Sequence, residues 1–144
     1  SGFLAASNVD RVFRLYLQEV FALLVSDQPF DVLAHLDYPK RYWPADPPYD
    51  EGIYEEEFRT VLRTAAARGV VLELNTTRGR EASRFLCPGG KVLGWWREEG
   101  GKAISFGSDA HSPEHLMAGF AVAQEVASAA GFRPQGDPTA FWIK

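Results

Sequence analysis

The sequence has 144 residues, of which 46% are hydrophobic and 24% are charged, and its formal net charge at pH 7 is −4. This length suffices for one domain with a buried core. The acidic balance argues against a nucleic-acid-binding surface, which is usually basic. No apolar run approaches the roughly 20 residues that a membrane span requires.

Cysteine and histidine are scarce. Cys87 is the only cysteine, so the chain can form neither an internal disulfide nor a metal site with two thiolates. The start of the chain also lacks the basic flank and apolar run of a secretory signal. These features predict a reducing, cytoplasmic setting. Any metal or acid–base chemistry must draw on His35, His111 and His115.

Helical and strand-like segments alternate from the start. The spacing of apolar residues predicts a helix over 7–25, with a serine or asparagine cap, and a short buried strand over 30–37. A long loop over 38–52 follows. Loops of this length between elements are uncommon and often functional.

The middle of the chain repeats the pattern. An amphipathic helix is predicted over 53–69, with a terminal glycine as its cap. A second strand follows over 70–75, then a polar loop over 76–90 and a short helix over 91–101.

The last unit has a third strand over 102–109 and a helix over 112–131, which opens with a serine cap and a proline. The tail, 132–144, reads as irregular or strand-like. The order predicts one α/β domain over 1–144, with parallel strands joined by right-handed crossovers.

Polar residues stand at the carboxyl ends of all three predicted strands, where sites form in parallel α/β sheets. They are His35 and Asp37 at the first, Glu73, Asn75 and Arg78 at the second, and Asp109 and His111 at the third. Side chains two residues apart in an extended segment project to the same side. Carboxylate with imidazole favours zinc, manganese or iron over magnesium or calcium.

Each of these residues also has a structural interpretation. Asp109 and His111 can cap the helix that follows them. A lone histidine on an apolar strand, such as His35, can be a hydrogen-bonded core residue. His115 can reach the site or lie at the surface, and Cys87 stands in a turn-like sequence ahead of a helix. Spacing alone leaves these alternatives open.

Three segments carry a resemblance to a known family. They are FDVLAHLDYPKRYW, LELNTTRGR and ISFGSDAHSPEHLMAGFAVAQEVASAAGF. Together they resemble the polymerase and histidinol phosphatase (PHP) family, and within it the histidinol-phosphatase branch, over residues 30 to about 133. The resemblance implies a metal-dependent phosphoesterase on a distorted (β/α)7 TIM-like barrel. Such a barrel holds up to three divalent metal ions (zinc, manganese or iron) at the strand ends.

The same resemblance implies roles for individual residues. His35, Asp109 and His111 match metal ligands of the family and are the expected catalytic residues.

Other positions are expected to bind the substrate or support the ligands. Arg78 lies where histidinol phosphatases hold the substrate phosphate, and Arg80 is the alternative residue for this role. Asn75 and Lys40 are expected on the substrate side. Asp37 is expected there or as a partner of a ligating histidine.

The chain also departs from the family. Its members open with a His-x-His pair and supply a glutamate and further histidines, whereas the first histidine here is His35. TIM-like barrels typically have roughly 250 residues, and three strands cannot close one. We therefore expect the C-terminal part of a larger barrel, whose open strand edges a homo-oligomer could cover.

The sequence thus predicts a cytoplasmic metal-dependent phosphatase acting on a small phosphate monoester, with L-histidinol phosphate of histidine biosynthesis as the favoured substrate. The fragment alone would bind metal weakly and could be inactive. One alternative is a structural or regulatory piece that has lost catalysis. Another is a PHP phosphodiesterase or exonuclease-like domain, against which the acidic balance counts.

Overall fold

The computed structural model describes residues 6–29, 31–44, 46, 48–76, 86–107, 113–137 and 140–144. The helices are α1 (Ala6–Val25), α2 (Glu55–Ala67), α3 (Gly90–Glu98) and α4 (Pro113–Ala129). The strands are β1 (Val32–Leu33), β2 (Val71–Asn75), β3 (Ala103–Gly107) and β4 (Trp142–Ile143). Short 3-10 helices cover Tyr38–Tyr42 and Glu51–Tyr54.

The strands form one sheet in the order β1-β2-β3-β4. The first three are parallel, and β4 runs antiparallel to β3. Each parallel pair is joined through a helix, as the alternating pattern predicted, so the α/β class is confirmed. Among the described helices, none combines the length and the hydropathy needed to cross a lipid bilayer.

One face of the sheet packs against the helices. Leu72, Leu74 and Ile104 are 0% exposed and share a core with side chains from all four helices. Their neighbours along the strands, among them Glu73 and Ser105, lie on the opposite face and are half-buried. This alternation follows from the two-residue period of a strand.

The long segment between β1 and α2 is packed against α1 by aromatic rings. Phe13 of α1 stacks on Tyr54, with ring centroids 4.5 Å apart, and on Tyr49, with centroids 5.5 Å apart. The ring of Trp43 meets Phe13 edge-on at 6.4 Å. Aromatic pairs at such distances add to the stabilisation that burial provides. The segment is therefore held to the body of the domain.

The predicted first strand is too long. The structure has a strand only at Val32–Leu33, whereas the pattern predicted 30–37. The reason is His35, which has a φ of 53° and turns the chain out of the extended conformation. His35 and Asp37 therefore do not project to the same side of a strand, and the prediction that they do is wrong.

Candidate functional site

The first polar group of the candidate site is His35, two residues beyond β1. A non-glycine residue with a positive φ is strained and needs support from its surroundings. The carbonyl oxygen of His35 accepts two hydrogen bonds. The backbone N–H of Tyr38 donates one at 3.1 Å, and the hydroxyl of Tyr16 in α1 donates the other at 2.5 Å.

The imidazole of His35 has an unused nitrogen. Its ring meets Tyr38 edge-on, with centroids 5.7 Å apart. Nδ1 is buried and has no hydrogen-bond partner within the described part of the chain. Buried polar atoms are nearly always paired, so an unpaired one calls for a ligand, a water or a further residue. Asp37, one candidate partner of a ligating histidine, does not hydrogen-bond to this nitrogen.

Asp37 instead forms a buried ion pair. Its Oδ2 lies 2.8 Å from the ammonium group of Lys40, and the two side chains are only 1% and 7% exposed. The ammonium group also donates a hydrogen bond to the carbonyl oxygen of Leu86. Lys40 thereby connects the segment after β1 with the segment before α3. This geometry favours a structural role for Lys40 over the predicted contact with a substrate.

A polar cavity of about 200 Å³ adjoins this ion pair. It is lined by Asp37, Lys40, Tyr49, Glu51, Leu86, Gly89 and Gly90. The Tyr49 hydroxyl and the Oδ1 atom of Asp37 are buried and have no hydrogen-bond partner among the described residues. Burial, followed by the charges of Asp37 and Glu51, raises the pKa of Tyr49, so its hydroxyl stays protonated.

The end of β2 carries the second polar group. Asn75 is 3% exposed, and its Nδ2 donates a hydrogen bond to Oε1 of Glu73 at 3.3 Å. Both side chains lie close to Gly107 of β3. A Cβ atom at that position would come within 2.7 Å of Oε2 of Glu73. The glycine thus leaves room for the polar side chains of β2.

Asn75 is also fixed through its backbone. Its N–H donates to the carbonyl oxygen of Cys87 at 2.8 Å and its carbonyl accepts from the Cys87 N–H at 3.1 Å. The Cys87 thiol is buried, and burial, followed by the nearby charge of Asp37, raises its pKa. A buried, protonated thiol is a poor nucleophile. The structure thus supports a packing role for Cys87.

Several predicted site residues fall outside the described residues. Asp109 and His111, the predicted ligands after β3, belong to this group, as do Arg78 and Arg80. Their distances from His35 stay predictions. His115 lies in the first turn of α4. Within the described ranges, no three histidine, cysteine, aspartate or glutamate residues are grouped so that they could hold a metal ion.

Tyr16 was missed by the sequence reasoning. It lies between Phe13 and Leu17, which pack in the core, and its half-buried ring is in contact with the same core. A tyrosine beside the apolar stripe of a helix is a signal that could have been used, because its hydroxyl commonly finds a partner when it is buried.

No model of a known protein family matches the chain. Two curated proteins do. The probable histidinol-phosphatase of Clostridium acetobutylicum is 31% identical over an alignment of 136 positions, which covers 90% of this chain and 51% of that protein. The probable histidinol-phosphatase of Thermotoga maritima is 30% identical over 110 residues, which are 76% of this chain and 45% of that protein. The chain therefore spans about half the length of these relatives.

A solved structure is also similar. It is the histidinol phosphate phosphatase of Lactococcus lactis, crystallised with zinc, L-histidinol and phosphate. The TM-score is 0.68 at 25% identity, and the match covers 83% of this chain and 46% of that one. The fold and these relatives associate the chain with a class of α/β phosphatases. More particularly, the chain is histidinol-phosphatase-like, and the resemblance found in its motifs is confirmed.

Proposed function

We propose that this chain is part of a cytoplasmic, metal-dependent phosphatase of the PHP family that hydrolyses L-histidinol phosphate. The observation that carries the proposal is the likeness, across most of the chain, to an enzyme crystallised with zinc, L-histidinol and phosphate. The order of elements and the parallel strands suit the C-terminal part of a distorted (β/α)7 barrel. The substrate would be a small phosphate monoester.

One described residue is compatible with a role as a metal ligand. The buried Nδ1 of His35 lacks a hydrogen-bond partner among the described residues, as a nitrogen kept for a metal ion would. In the proposal His35, Asp109 and His111 are the ligands from this chain. One carboxylate with two imidazoles suits zinc, manganese or iron. A divalent ion held there would supply a Lewis acid for the phosphoryl oxygens and lower the pKa of a water.

The side chains of this chain would then bind and orient the substrate. Arg78 or Arg80 would pair with the phosphate, since a guanidinium group can donate two parallel hydrogen bonds to it. Preorganised charge of this kind stabilises the transition state of phosphoryl transfer. Asn75 would offer its amide at the end of β2. Lys40 would hold Asp37 and Leu86 in place and would not contact the substrate.

The rest of the barrel would bring the further ligands. The sequence has no His-x-His pair, and the relatives are about twice as long as the stretch they share with this chain. Apolar side chains are exposed on β1 and α1, where further elements could pack. They include Val32 at 39%, Leu15 at 49% and Leu23 at 47%.

Replacement of a proposed ligand tests the function. Loss of a residue that hydrogen-bonds to a metal ligand costs roughly 10- to 100-fold in activity. In the full-length protein, Asp109→Asn changes a proposed ligand itself and should lower kcat for L-histidinol phosphate by more than that. Phosphate release measures the effect. Asp27→Asn, on the exposed turn after α1, is the control. Turnover like that of the wild type in Asp109→Asn would remove Asp109 from the ligand set.

The absence of a His-x-His pair also favours a second candidate, a structural or regulatory piece without metal. Elemental analysis of the purified chain, after supplementation with zinc, manganese or iron, separates the two. The phosphatase is supported if the chain binds about one metal ion per molecule and if His35→Ala abolishes this binding. A chain that stays metal-free supports the structural role. A phosphodiester substrate assayed in parallel tests the phosphodiesterase alternative.

A further inference from the structure

Tyr16 is the one side chain of α1 that is seen to hydrogen-bond to the backbone of the candidate site within the described residues. Its hydroxyl donates to the carbonyl oxygen of His35 at 2.5 Å, across 19 positions of sequence. The helix that carries it is anchored in the core by Phe13, which is 0% exposed, and by Leu17, which is 2% exposed. The bond therefore ties residue 35 to a fixed part of the domain.

His35 needs this hydrogen bond because the sheet does not hold it in place. The pairing of β1 with β2 ends at Leu33 opposite Leu72, whereas β2 continues to Asn75. Beyond Leu33 the chain reaches the positive φ of His35, which residues with a Cβ atom rarely adopt unless their surroundings impose it. The hydrogen bond from the Tyr38 N–H closes only a local turn, so it does not fix residue 35 relative to the rest of the domain.

We propose that Tyr16 is a positioning residue, whose hydroxyl holds His35 in the left-handed conformation and so fixes the direction in which its imidazole leaves the backbone. The consequence for metal binding rests on the proposed function, in which His35 is a ligand. Without the hydroxyl, residue 35 can relax to a negative φ, and Nδ1 would leave its present place.

The chain contains a matched control. Tyr54 is 0% exposed, stacks on Phe13 and donates a hydrogen bond from its hydroxyl to Oδ1 of Asp10 at 2.7 Å. Its bond lies away from His35. Tyr16→Phe and Tyr54→Phe each remove one oxygen atom from a packed ring. Tyr54→Phe should destabilise the chain at least as much as Tyr16→Phe, because its lost partner is a carboxylate, and only Tyr16→Phe affects residue 35.

The test uses the isotopically labelled 144-residue chain in both variants and in the wild type. The Cα and Cβ chemical shifts of His35 report its backbone conformation without any metal. These shifts should have values typical of a left-handed residue in the wild type and in Tyr54→Phe. In Tyr16→Phe they should change toward values typical of a residue with a negative φ. Zinc affinity, measured by competition with a chromophoric chelator, should fall about tenfold in Tyr16→Phe alone.

The two readouts separate the two proposals. If His35 keeps its wild-type shifts in Tyr16→Phe, or loses them equally in Tyr54→Phe, the positioning role of Tyr16 is overturned. If His35→Ala binds zinc as tightly as the wild type, the metal role of His35 fails, and the chemical shifts still decide on Tyr16. Unchanged zinc affinity in Tyr16→Phe, with the conformation lost, would also contradict the role proposed for Tyr16.

Discussion

The two faces of the sheet differ sharply in chemistry although the same strands form both. Leu72, Leu74 and Ile104, on the helix-covered face, are 0% exposed. Glu73, Asn75 and Ser105 lie on the opposite face, called here the polar face. Alternate residues of one strand thus contribute to the core and to the candidate site. Mutations on the two faces should therefore affect different properties.

The ion pairs of the chain also differ in burial. Lys40 and Asp37 form their ion pair at the carboxyl end of the sheet, near Asn75 and Cys87. The ion pairs between α2 and α3 are more exposed, for example Arg63 with Glu99, whose side chains are 64% and 13% exposed. Exposed pairs contribute little to stability. A buried pair is costly to break, because the remaining charge has no partner.

The largest effect expected is therefore at Lys40. Lys40→Met should lower the free energy of unfolding by about 3–5 kcal/mol, because it leaves the carboxylate of Asp37 buried without a cation. Lys91→Met is the control, since Lys91 is 53% exposed and lies 3.6 Å from Asp50, and should cost under about 1 kcal/mol. Urea denaturation measures both. Equal losses would show that burial does not set the cost.

A core substitution should come next. Leu74→Ala should cost about 2–5 kcal/mol, because it removes buried methyl groups and leaves a cavity. Ser105→Ala, on the polar face of the neighbouring strand, should stay within about 0.5 kcal/mol of the wild type. Thermal and urea unfolding of the two variants compare the faces directly. A large loss in Ser105→Ala would mean that the polar face also supports the fold.

The smallest effect is expected at Gly107. Gly107→Ala should cost about 1 kcal/mol, at the low end of overpacking, because the flexible carboxylate of Glu73 can move aside. Glu73→Ala in the same chain should cancel most of this cost, and a double-mutant cycle measures the coupling. Purely additive effects would show that the two residues do not compete for space.

The sequence predicted the fold class and the order of its elements because periodic apolar residues determine both. It did not predict the length of β1. The strand ends at Leu33, two residues before the positive φ of His35, whose carbonyl oxygen accepts a hydrogen bond from Tyr16, 19 positions earlier. Apolar periodicity contains no information about a single distant hydrogen bond. Element boundaries that tertiary contacts set are therefore the part that local patterns miss.

The candidate site was predicted in part. The motifs led to the histidinol-phosphatase resemblance, and the structure finds His35 and Asn75 near the carboxyl ends of adjacent strands. The ion pair of Lys40 with Asp37 was not predicted, because a lysine within a motif indicates a charge and not the partner that neutralises it. The roles of Asp109, His111 and Arg78 stay predictions.

Cys87 has a practical consequence. It is the only cysteine of the chain, and its backbone bonds to Asn75 hold the end of β2. Because the thiol is buried and its pKa is raised, an alkylating reagent reaches it only when this region opens. The rate of alkylation thus measures local opening beside the candidate site, with no introduced label.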